Sequence, residues 1–237
     1  MTESGVYGPA HIVAVCGLAM EARIAAGNGV VVVCSGDRAR LAAQLRDATT
    51  PATRGIVSFG LAGGLARGLR PGTCIVARGV LALGEGFPVD IAWTQQMLAV
   101  LPAALHADLA GADRAIQLPS EKRALHTRTG AIAVDMESHI AARVARDRRL
   151  PFAAVRVVID PAERPVPKAA LAGQRADGTA DARAVASALL ARPREFPAVM
   201  RLAFDAWTAA RALLRCRRQL GERFAFVNAG HHPLDVA

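Results

Sequence analysis

Three carboxylates stand at or just after apolar, strand-like runs, and for two of them, Glu21 and Asp160, the position suits acid–base chemistry. Glu21 follows the first such run, Glu137 follows a later one, and Asp160 ends the last. In an open α/β sheet, these positions lie outside the carboxyl ends of the strands, where ligands bind. A carboxyl group that is partly removed from water has a raised pKa and can act as a general acid or base. The ordinary alternatives are an exposed ion pair for Glu21 and a turn-forming aspartate before Pro161 for Asp160.

Glu137 lies on an unexpected side of its predicted helix. At about 100° per residue it shares a face with Met136, Ile140 and Val144, the apolar stripe that should face the core. Asp135 falls on the other side, and we interpret it as a helix-terminus residue because the helix dipole favours acids there. A carboxylate left unpaired in a core is costly, so the pattern raises the question of which polar group Glu137 meets.

The stretch 58-SFGLAGGLARGLRPGT follows another strand-like run, and its glycines are candidates for close contact with a ligand. Glycine lets the backbone approach a ligand and expose N–H groups, which suits an anion or a sugar phosphate. The stretch matches neither GxxxxGK[ST] nor GxGxxG, so the usual nucleotide fingerprints are absent. Taken alone, the pattern is equally typical of a tight structural turn.

These candidates are positioned by strand-like and helical stretches that alternate along the chain. The strand-like runs are 11-HIVAVC, 29-GVVVVC, 55-GIVSF, 73-TCIVARGVLAL, 131-AIAV and 152-FAAVRVVID. The helical patterns are 37-DRARLAAQLRD, roughly 94-TQQMLAVLPAALHADL with an interruption at Pro102, and 137-ESHIAARVARD. Several runs are apolar without alternation, which is typical of strands covered on both faces. We therefore expect a single α/β domain over residues 1–237, with a central mixed, largely parallel β-sheet flanked by helices.

The character of the chain changes after Asp160. The segment 161-PAERPVPKAALAGQRADGTAD is rich in proline, glycine and charge, and it predicts a lid loop. Helical stretches follow near residues 182–191 and 197–220, so residues 161–237 should form the lid and the C-terminal helices. The last helix has a broad apolar face, and arginines lie on its opposite face. This indicates either a terminal helix packed on the domain or a basic amphipathic helix that meets a membrane surface or an apolar ligand.

Composition excludes several classes of protein. A hydrophobic fraction of 52% excludes a disordered chain, and no apolar run reaches the roughly 18–20 residues of a membrane-spanning helix. The formal charge of +9 would suit nucleic acid, but an aromatic fraction of 4% and the lack of a recognition motif argue against it. Without a signal peptide or Cys/His metal spacing, we expect a cytoplasmic protein without a metal, in which 231-HHP is a frayed tail.

Five stretches together resemble the superfamily of purine nucleoside phosphorylases and nucleosidases, which includes the methylthioadenosine/S-adenosylhomocysteine nucleosidases. In the family's order they are 16-CGLAMEAR, 34-CSGDRARLAAQL, 60-GLAGGLARGLRPGT, 133-AVDMES and 151-PFAAVRVVID. The later part of the chain, with its arginine-rich last helix, is similar to the hopanoid-associated phosphorylases. That group is linked to the removal of adenine from adenosylhopane. The resemblance implies a nucleoside phosphorylase-like fold and cleavage of the N-glycosidic bond of an adenine nucleoside.

The resemblance also implies a role for each candidate residue. Glu137 would accept hydrogen bonds from the ribose 2′ and 3′ hydroxyls, and Asp160 would protonate or hydrogen-bond to N7 of the departing purine. This arrangement favours both the positive charge that develops on the sugar and the negative charge on the base. The further substrate-binding positions implied are Met136, Gly60, Ala62, Gly63 and Ile116. The phosphate-binding positions implied are Ala19 and Arg23.

The nucleophile depends on position 23. The nucleosidases have an acid there that positions water, whereas an arginine binds phosphate and cannot deprotonate water. Arg23 therefore favours phosphorolysis of adenosylhopane, with phosphate as co-substrate and no other cofactor. The family's phosphate-site serine and one of its arginines are replaced by Leu61 and Ser58, so hydrolysis of methylthioadenosine or S-adenosylhomocysteine stays open. A non-catalytic nucleoside- or lipid-binding protein is a third alternative.

A hopanoid tail would need an apolar channel beside the sugar. The stretch 83-LGEGFPVDIAW and the side chains of Phe204 and Trp207 are the candidates to line that channel. By resemblance we expect a homo-oligomer, because sites in this superfamily often borrow residues across a dimer interface. A contact of the last helix with the inner membrane surface stays open as well.

Overall fold

The computed structural model describes residues 9–82, 84–173, 175, 177–179 and 181–227, so the predicted tail at 231-HHP lies outside the described residues. The strands are β1 His11–Cys16, β2 Val30–Cys34, β3 Thr53–Gly64, β4 Cys74–Ala82, β5 Glu85–Pro88, β6 Leu105–Gly111, β7 Ala133–Asp135 and β8 Phe152–Asp160. The helices are α1 Ala19–Ala25, α2 Arg38–Ala48, α3 Ile91–Val100, α4 Pro119–Thr129, α5 Ser138–Arg148, α6 Lys168–Leu171, α7 Ala182–Ala191 and α8 Phe196–Gln219. Within this described part, no helix is long and apolar enough to cross a bilayer.

The strands form one sheet whose middle part closes on itself. β3 pairs in parallel with β1 and β8, and β8 pairs antiparallel with β4. β6 joins β4 to β7, which returns antiparallel to β3. β2 extends the sheet beyond β1, and β5 extends it beyond β4. Among the described strands five pairings are parallel and three antiparallel, so the predicted single α/β domain with a mixed, largely parallel sheet is confirmed.

Helices cover the sheet on both faces because its central strands are apolar on both. On one face, Leu41 of α2 and Val144 of α5 belong to a buried cluster with the central strands. On the other face, Trp93 of α3 and Leu213 of α8 belong to a second cluster. Burial of these apolar side chains supplies the main favourable contribution to folding. One side of α8 is therefore fixed to the core.

The region predicted as one interrupted helix over residues 94–109 differs from the prediction. α3 ends at Val100, before Pro102, because proline has no N–H to donate and disfavours helical geometry in the residue before it. The chain then forms β6, whose Leu109 is fully buried. Three of the described helices also occur where the sequence predicted none, namely α1, α4 and the short α6, which lies in the segment predicted as a lid loop.

The pairing of the strands gathers four strand ends at one place. Gly63 of β3 is opposite Asp160 of β8 and also opposite Val134 of the antiparallel β7. β1 runs parallel to β3, so its carboxyl end lies on the same side. The segment that follows β8, predicted as a lid, returns to this place, where the Gly178 carbonyl accepts the N–H of Ala19 at 2.9 Å.

Candidate active site

A cavity of about 510 Å³ opens at these strand ends. Its volume lies within the range of roughly 300–1,000 Å³ typical of small-molecule sites. The acidic residues that line it are Glu21, Asp135, Glu137 and Asp160. The structure therefore brings together the three carboxylates that the sequence places after separate strands, and it adds Asp135.

Glu21 is buried in the first turn of α1, where its carboxylate accepts three backbone hydrogen bonds. Oε2 accepts the N–H groups of Gly17 at 3.0 Å and Leu18 at 2.9 Å, and Oε1 accepts that of Leu61 at 2.7 Å. A Cβ atom on Gly60 would lie 2.6 Å from Glu21 Cδ, so this close approach requires glycine. Burial raises the pKa of Glu21, while a nearby arginine and these hydrogen bonds oppose the rise. A carboxylate that is oriented in this way at a cavity wall can act as a general base.

Glu137 directly precedes α5, and its carboxylate lies over Gly17. A Cβ atom at position 17 would come far inside van der Waals distance of Glu137 Oε1, so glycine is needed for the carboxylate to lie there. Burial raises the pKa of Glu137 to about 8, although the charge of Arg156 lowers it. Because α5 begins at Ser138, Glu137 is not part of the apolar face of α5. The strand end places it at the cavity.

Arg156 is a fully buried arginine in β8 that pairs with two of the acids. Its Nε lies 3.1 Å from Asp135 Oδ2, its Nη2 lies 3.4 Å from Glu137 Oε2, and Nη2 also donates to Ser58 Oγ at 2.5 Å. Asp135 in turn accepts the N–H of Ser138 at 2.6 Å, at the start of α5. A buried charge is tolerated only when it is paired and hydrogen-bonded, as it is here. Asp135 is thus engaged by the N–H at the start of α5 and by Arg156, whereas Glu137 is held so that its carboxylate faces the cavity.

Asp160 pairs with a buried lysine. Lys122 of α4 donates to Asp160 Oδ2, to the Pro161 carbonyl at 2.9 Å and to the Arg164 carbonyl at 3.2 Å. All three N–H bonds of the ammonium group are therefore used. Burial raises the pKa of Asp160, and Lys122 opposes that rise. A carboxyl group in this setting can hold a proton and pass it to a bound ligand.

Most of the predicted substrate-binding positions lie at the cavity. Ala62, Gly63, Ile116 and Met136 line it. Gly60 does not line it but packs against the Glu21 carboxylate. The glycine-rich stretch therefore contributes both cavity wall and the space that Glu21 occupies.

The two predicted phosphate-binding positions lie elsewhere. Arg23 is exposed on α1 and is not among the residues that line the cavity. Residues two apart on a helix point about 200° away from each other, so Glu21 and Arg23 cannot both face the cavity. The N–H of Ala19 already donates to the Gly178 carbonyl. The geometry does not support either assignment.

The aromatic residues predicted to line an apolar channel also lie outside the cavity. Phe87 and Trp93 are buried in the core, Phe204 and Trp207 are exposed, and Leu83 lies outside the described residues. The aliphatic part of the cavity wall comes instead from other residues of the C-terminal segment, which are Val166, Ala170, Leu171, Val185, Val199, Leu202, Ala203 and Ala206.

Sequence reasoning missed Arg156 and Lys122. Arg156 interrupts an otherwise apolar strand, and that is a usable signal, since a charge in a strand covered on both faces needs a buried partner. Lys122 gives no such signal because it stands among charged residues in 121-EKR, a pattern typical of a solvent-exposed helix face. Its burial follows from the docking of α4 beside the end of β8.

The site offers proton transfer and charge stabilisation by carboxylates. Asp160 can supply a proton, Glu21 can remove one, and Glu137 can accept hydrogen bonds from hydroxyl groups. In the described part of the chain, no three His, Cys, Asp or Glu residues are grouped so that they could hold a metal ion.

A family model described as the phosphorylase superfamily matches residues 94–192, which is less than half of the chain. None of the curated proteins compared with the chain matches its sequence. Several solved structures match over most of their length. A mutant 5′-methylthioadenosine/S-adenosylhomocysteine nucleosidase of Helicobacter pylori matches with 14% identity and a TM-score of 0.62, covering 90% of this chain and 100% of that one.

Two further structures give the same result. The corresponding nucleosidase from Neisseria meningitidis has 15% identity and a TM-score of 0.62, with 88% of this chain and 97% of that chain covered. The futalosine hydrolase of Helicobacter pylori has 15% identity and a TM-score of 0.60, again with 88% and 97% covered. At such identities the likeness concerns the fold. The chain thus has the single-domain α/β fold of these nucleosidases and of futalosine hydrolase.

Proposed function

We propose that the protein cleaves the N-glycosidic bond of an adenine nucleoside and that water is the nucleophile. The observation that carries this proposal is the position of Glu21, whose carboxylate accepts the N–H groups of Gly17, Leu18 and Leu61. The Leu61 N–H belongs to the glycine-rich stretch and those of Gly17 and Leu18 belong to 16-CGLAMEAR, and all three are donors that could otherwise bind an anion such as phosphate. Since a carboxylate of the chain already accepts all three, phosphate cannot bind them while Glu21 stays in place.

The charge of the cavity supports the same choice. Among the described residues of its lining, the acids are Glu21, Asp135, Glu137 and Asp160, whereas the cation is Arg114, which is paired with Glu121. Arg156 and Lys122, which pair with three of these acids, are fully buried and do not line the cavity. The surface that a ligand contacts therefore presents mainly carboxyl groups, which disfavours a phosphate dianion and favours the positively charged sugar of an oxocarbenium-like transition state. Arg23, on which the sequence-based preference for phosphate depends, is exposed on the surface of α1.

The carboxylates then act in three ways. Asp160 protonates N7 of the leaving adenine, or donates a hydrogen bond to it, and neutralises the charge that develops on the base. Glu137, held by Arg156, accepts hydrogen bonds from the ribose hydroxyls and orients the sugar. Glu21 takes a proton from the attacking water, and the products are adenine and a free sugar.

We propose further that the natural substrate carries a large apolar group at the ribose 5′ position, as adenosylhopane does. The eight aliphatic residues from α6, α7, α8 and the preceding loop support this, because they supply apolar wall beyond the needs of a nucleoside with a small substituent. The H. pylori nucleosidase, by comparison, was solved with 5′-methylthioadenosine in its active site. Substrate size is therefore expected to separate this chain from that protein.

Adenine release from adenosylhopane and from methylthioadenosine, each measured in phosphate-free buffer and again with phosphate added, tests the proposal. We expect release from both, with the higher kcat/KM for adenosylhopane. Ala206→Phe places a ring in the aliphatic part of the wall and should reduce kcat/KM for adenosylhopane much more than for methylthioadenosine. Release that depends on phosphate would indicate a phosphorylase, and no release from either substrate would indicate a binding protein. An equal effect of Ala206→Phe on both substrates would contradict the assignment of the tail.

A further inference from the structure

The outer face of α8 exposes an unusual row of large apolar side chains. We call this row the apolar stripe; it consists of Phe196, Met200, Phe204, Trp207 and Leu214, whose spacing puts them on one side of the helix. All five are exposed, Phe204 to 65% and Trp207 to 54%. The opposite side of α8 packs in the core, so the exposure of the stripe is fixed by the fold.

Arginines surround the apolar stripe. Arg211 lies over the Trp207 ring, with its guanidinium carbon 4.7 Å from the ring centroid. In the described residues, none of the exposed arginines of this region forms an ion pair; they are Arg192, Arg194, Arg201, Arg211, Arg215 and Arg218.

The two acids of the region are already engaged. Glu195 accepts the N–H of Ala169 at 2.8 Å, and Asp205 pairs with Arg164 at 2.7 Å. The surface is therefore both apolar and strongly cationic, because the charge of Glu195 can balance only one of the six exposed arginines.

We propose that the apolar stripe and its arginines dock on the surface of an anionic phospholipid bilayer, with α8 lying in the plane of the interface. Aromatic side chains are stable at the depth of the headgroups, and guanidinium groups bind lipid phosphates in a bidentate manner. A second copy of the same surface fits less well, because it would bring arginines against arginines while Glu195 and Asp205 are engaged elsewhere.

The cavity opens beside the apolar stripe. Val199, Leu202 and Ala206, on the flank of α8 next to the stripe, line the cavity, and the exposed Ala203 lines it as well. If the proposed function is correct, a nucleoside with an apolar tail can pass from the bilayer to the site without crossing water. The docking itself does not depend on that function.

Tryptophan fluorescence of the full chain tests the docking directly. The chain has two tryptophans, and Trp93 is buried with its indole N–H bonded to the Phe224 carbonyl at 2.7 Å, so a change on adding lipid reports Trp207. With vesicles of phosphatidylcholine and phosphatidylglycerol we expect a blue shift of the emission that high salt weakens. Vesicles of phosphatidylcholine alone should give no shift.

A double variant locates the contact. Met200→Ser combined with Phe204→Ser keeps Trp207 as reporter. It should weaken partitioning into the anionic vesicles by about tenfold or more, because two apolar side chains that enter the bilayer on docking are lost. Ile91→Ser is the matched control, since Ile91 is 71% exposed on α3, outside the stripe, and should leave partitioning unchanged. No nucleoside is present in this assay, so its outcome is independent of the proposed function.

Three results would overturn the proposal. The first is no emission shift with anionic vesicles, and the second is unchanged partitioning of the double variant. The third is a stable dimer in sedimentation velocity that the double variant converts to monomer, since a second copy would then cover the apolar stripe.

Discussion

Replacing Glu21 by glutamine removes the general base while changing the shape of the side chain very little. The two carboxylate oxygens accept backbone N–H groups on both sides, Gly17 and Leu18 at one oxygen and Leu61 at the other. A glutamine has one acceptor oxygen, so its NH2 group must face at least one N–H donor. The variant therefore loses the base and leaves one or two buried donors without a partner.

Two magnitudes follow from this geometry. The loss of a general base should reduce the rate of adenine release by about 10²–10⁴-fold. Each buried N–H left without an acceptor costs about 1–3 kcal/mol. At about 2–4 °C per kcal/mol for a chain of this size, one unpaired donor should lower Tm by roughly 2–12 °C, and two should lower it by up to about twice as much.

The assay is single-turnover adenine release, read together with Tm. Glu121→Gln is the matched control for stability, because Glu121 accepts the N–H groups of Gln117 and Leu118 at the start of α4 as Glu21 does at α1. Arg23→Gln is the control for activity and should release adenine at the wild-type rate. If Glu21→Gln keeps a rate within about twofold of wild type, where a lost base should cost at least 10²-fold, the assigned role of Glu21 is wrong.

Three further predictions concern the other acids of the site. Gly17→Ala would push the Glu137 carboxylate away and should lower kcat/KM by roughly 10²-fold, whereas unchanged kinetics would show that the position of Glu137 is not critical. Lys122→Met removes the charge that lowers the pKa of Asp160; because Asp160 acts in its protonated form, the alkaline fall of the pH–rate profile should move to higher pH, and a shift to lower pH would contradict this. The folded-state pKa of Glu137 is raised to about 8, so the folded state binds more protons than the unfolded state between the ordinary glutamate pKa and pH 8, and stability should fall as pH rises through that window. Glu137→Gln should make the decrease of Tm between about pH 5 and pH 8 smaller, because the glutamine does not titrate. If the variant and the wild type show the same dependence of Tm on pH, the pKa of Glu137 is not raised in the folded protein.

The sequence predicts the central sheet and the carboxylates well, for a physical reason. Runs such as 11-HIVAVC and 152-FAAVRVVID are apolar on both faces, and only a covered strand satisfies that pattern. The carboxyl ends of parallel strands meet at one edge, so acids placed after such runs must lie near one another. Glu21 and Asp160 are predictable in this way, whereas Glu137 follows β7, which runs antiparallel to β3, so its position at the same place depends on how that strand pairs.

What the sequence does not predict depends on contacts between distant elements. Lys122 reaches Asp160 only because α4 docks beside the end of β8, and nothing in 121-EKR distinguishes it from a solvent-exposed pattern. The assignment of Arg23 to phosphate rests on the resemblance to phosphorylases that have an arginine at the comparable position, and it does not take helix geometry into account. On α1, Glu21 faces the cavity and Arg23 faces solvent.

The central claim is that water attacks the sugar, and the dependence of the reaction on phosphate tests it most directly. Adenine release from the preferred substrate should be followed with the phosphate concentration varied from zero, and the sugar product should be identified by mass spectrometry. We predict that the rate does not change with phosphate and that the product is the free sugar at every concentration. A rate that rises with phosphate, with a sugar 1-phosphate as the product, would contradict the assignment of Glu21 as the base and establish phosphorolysis instead.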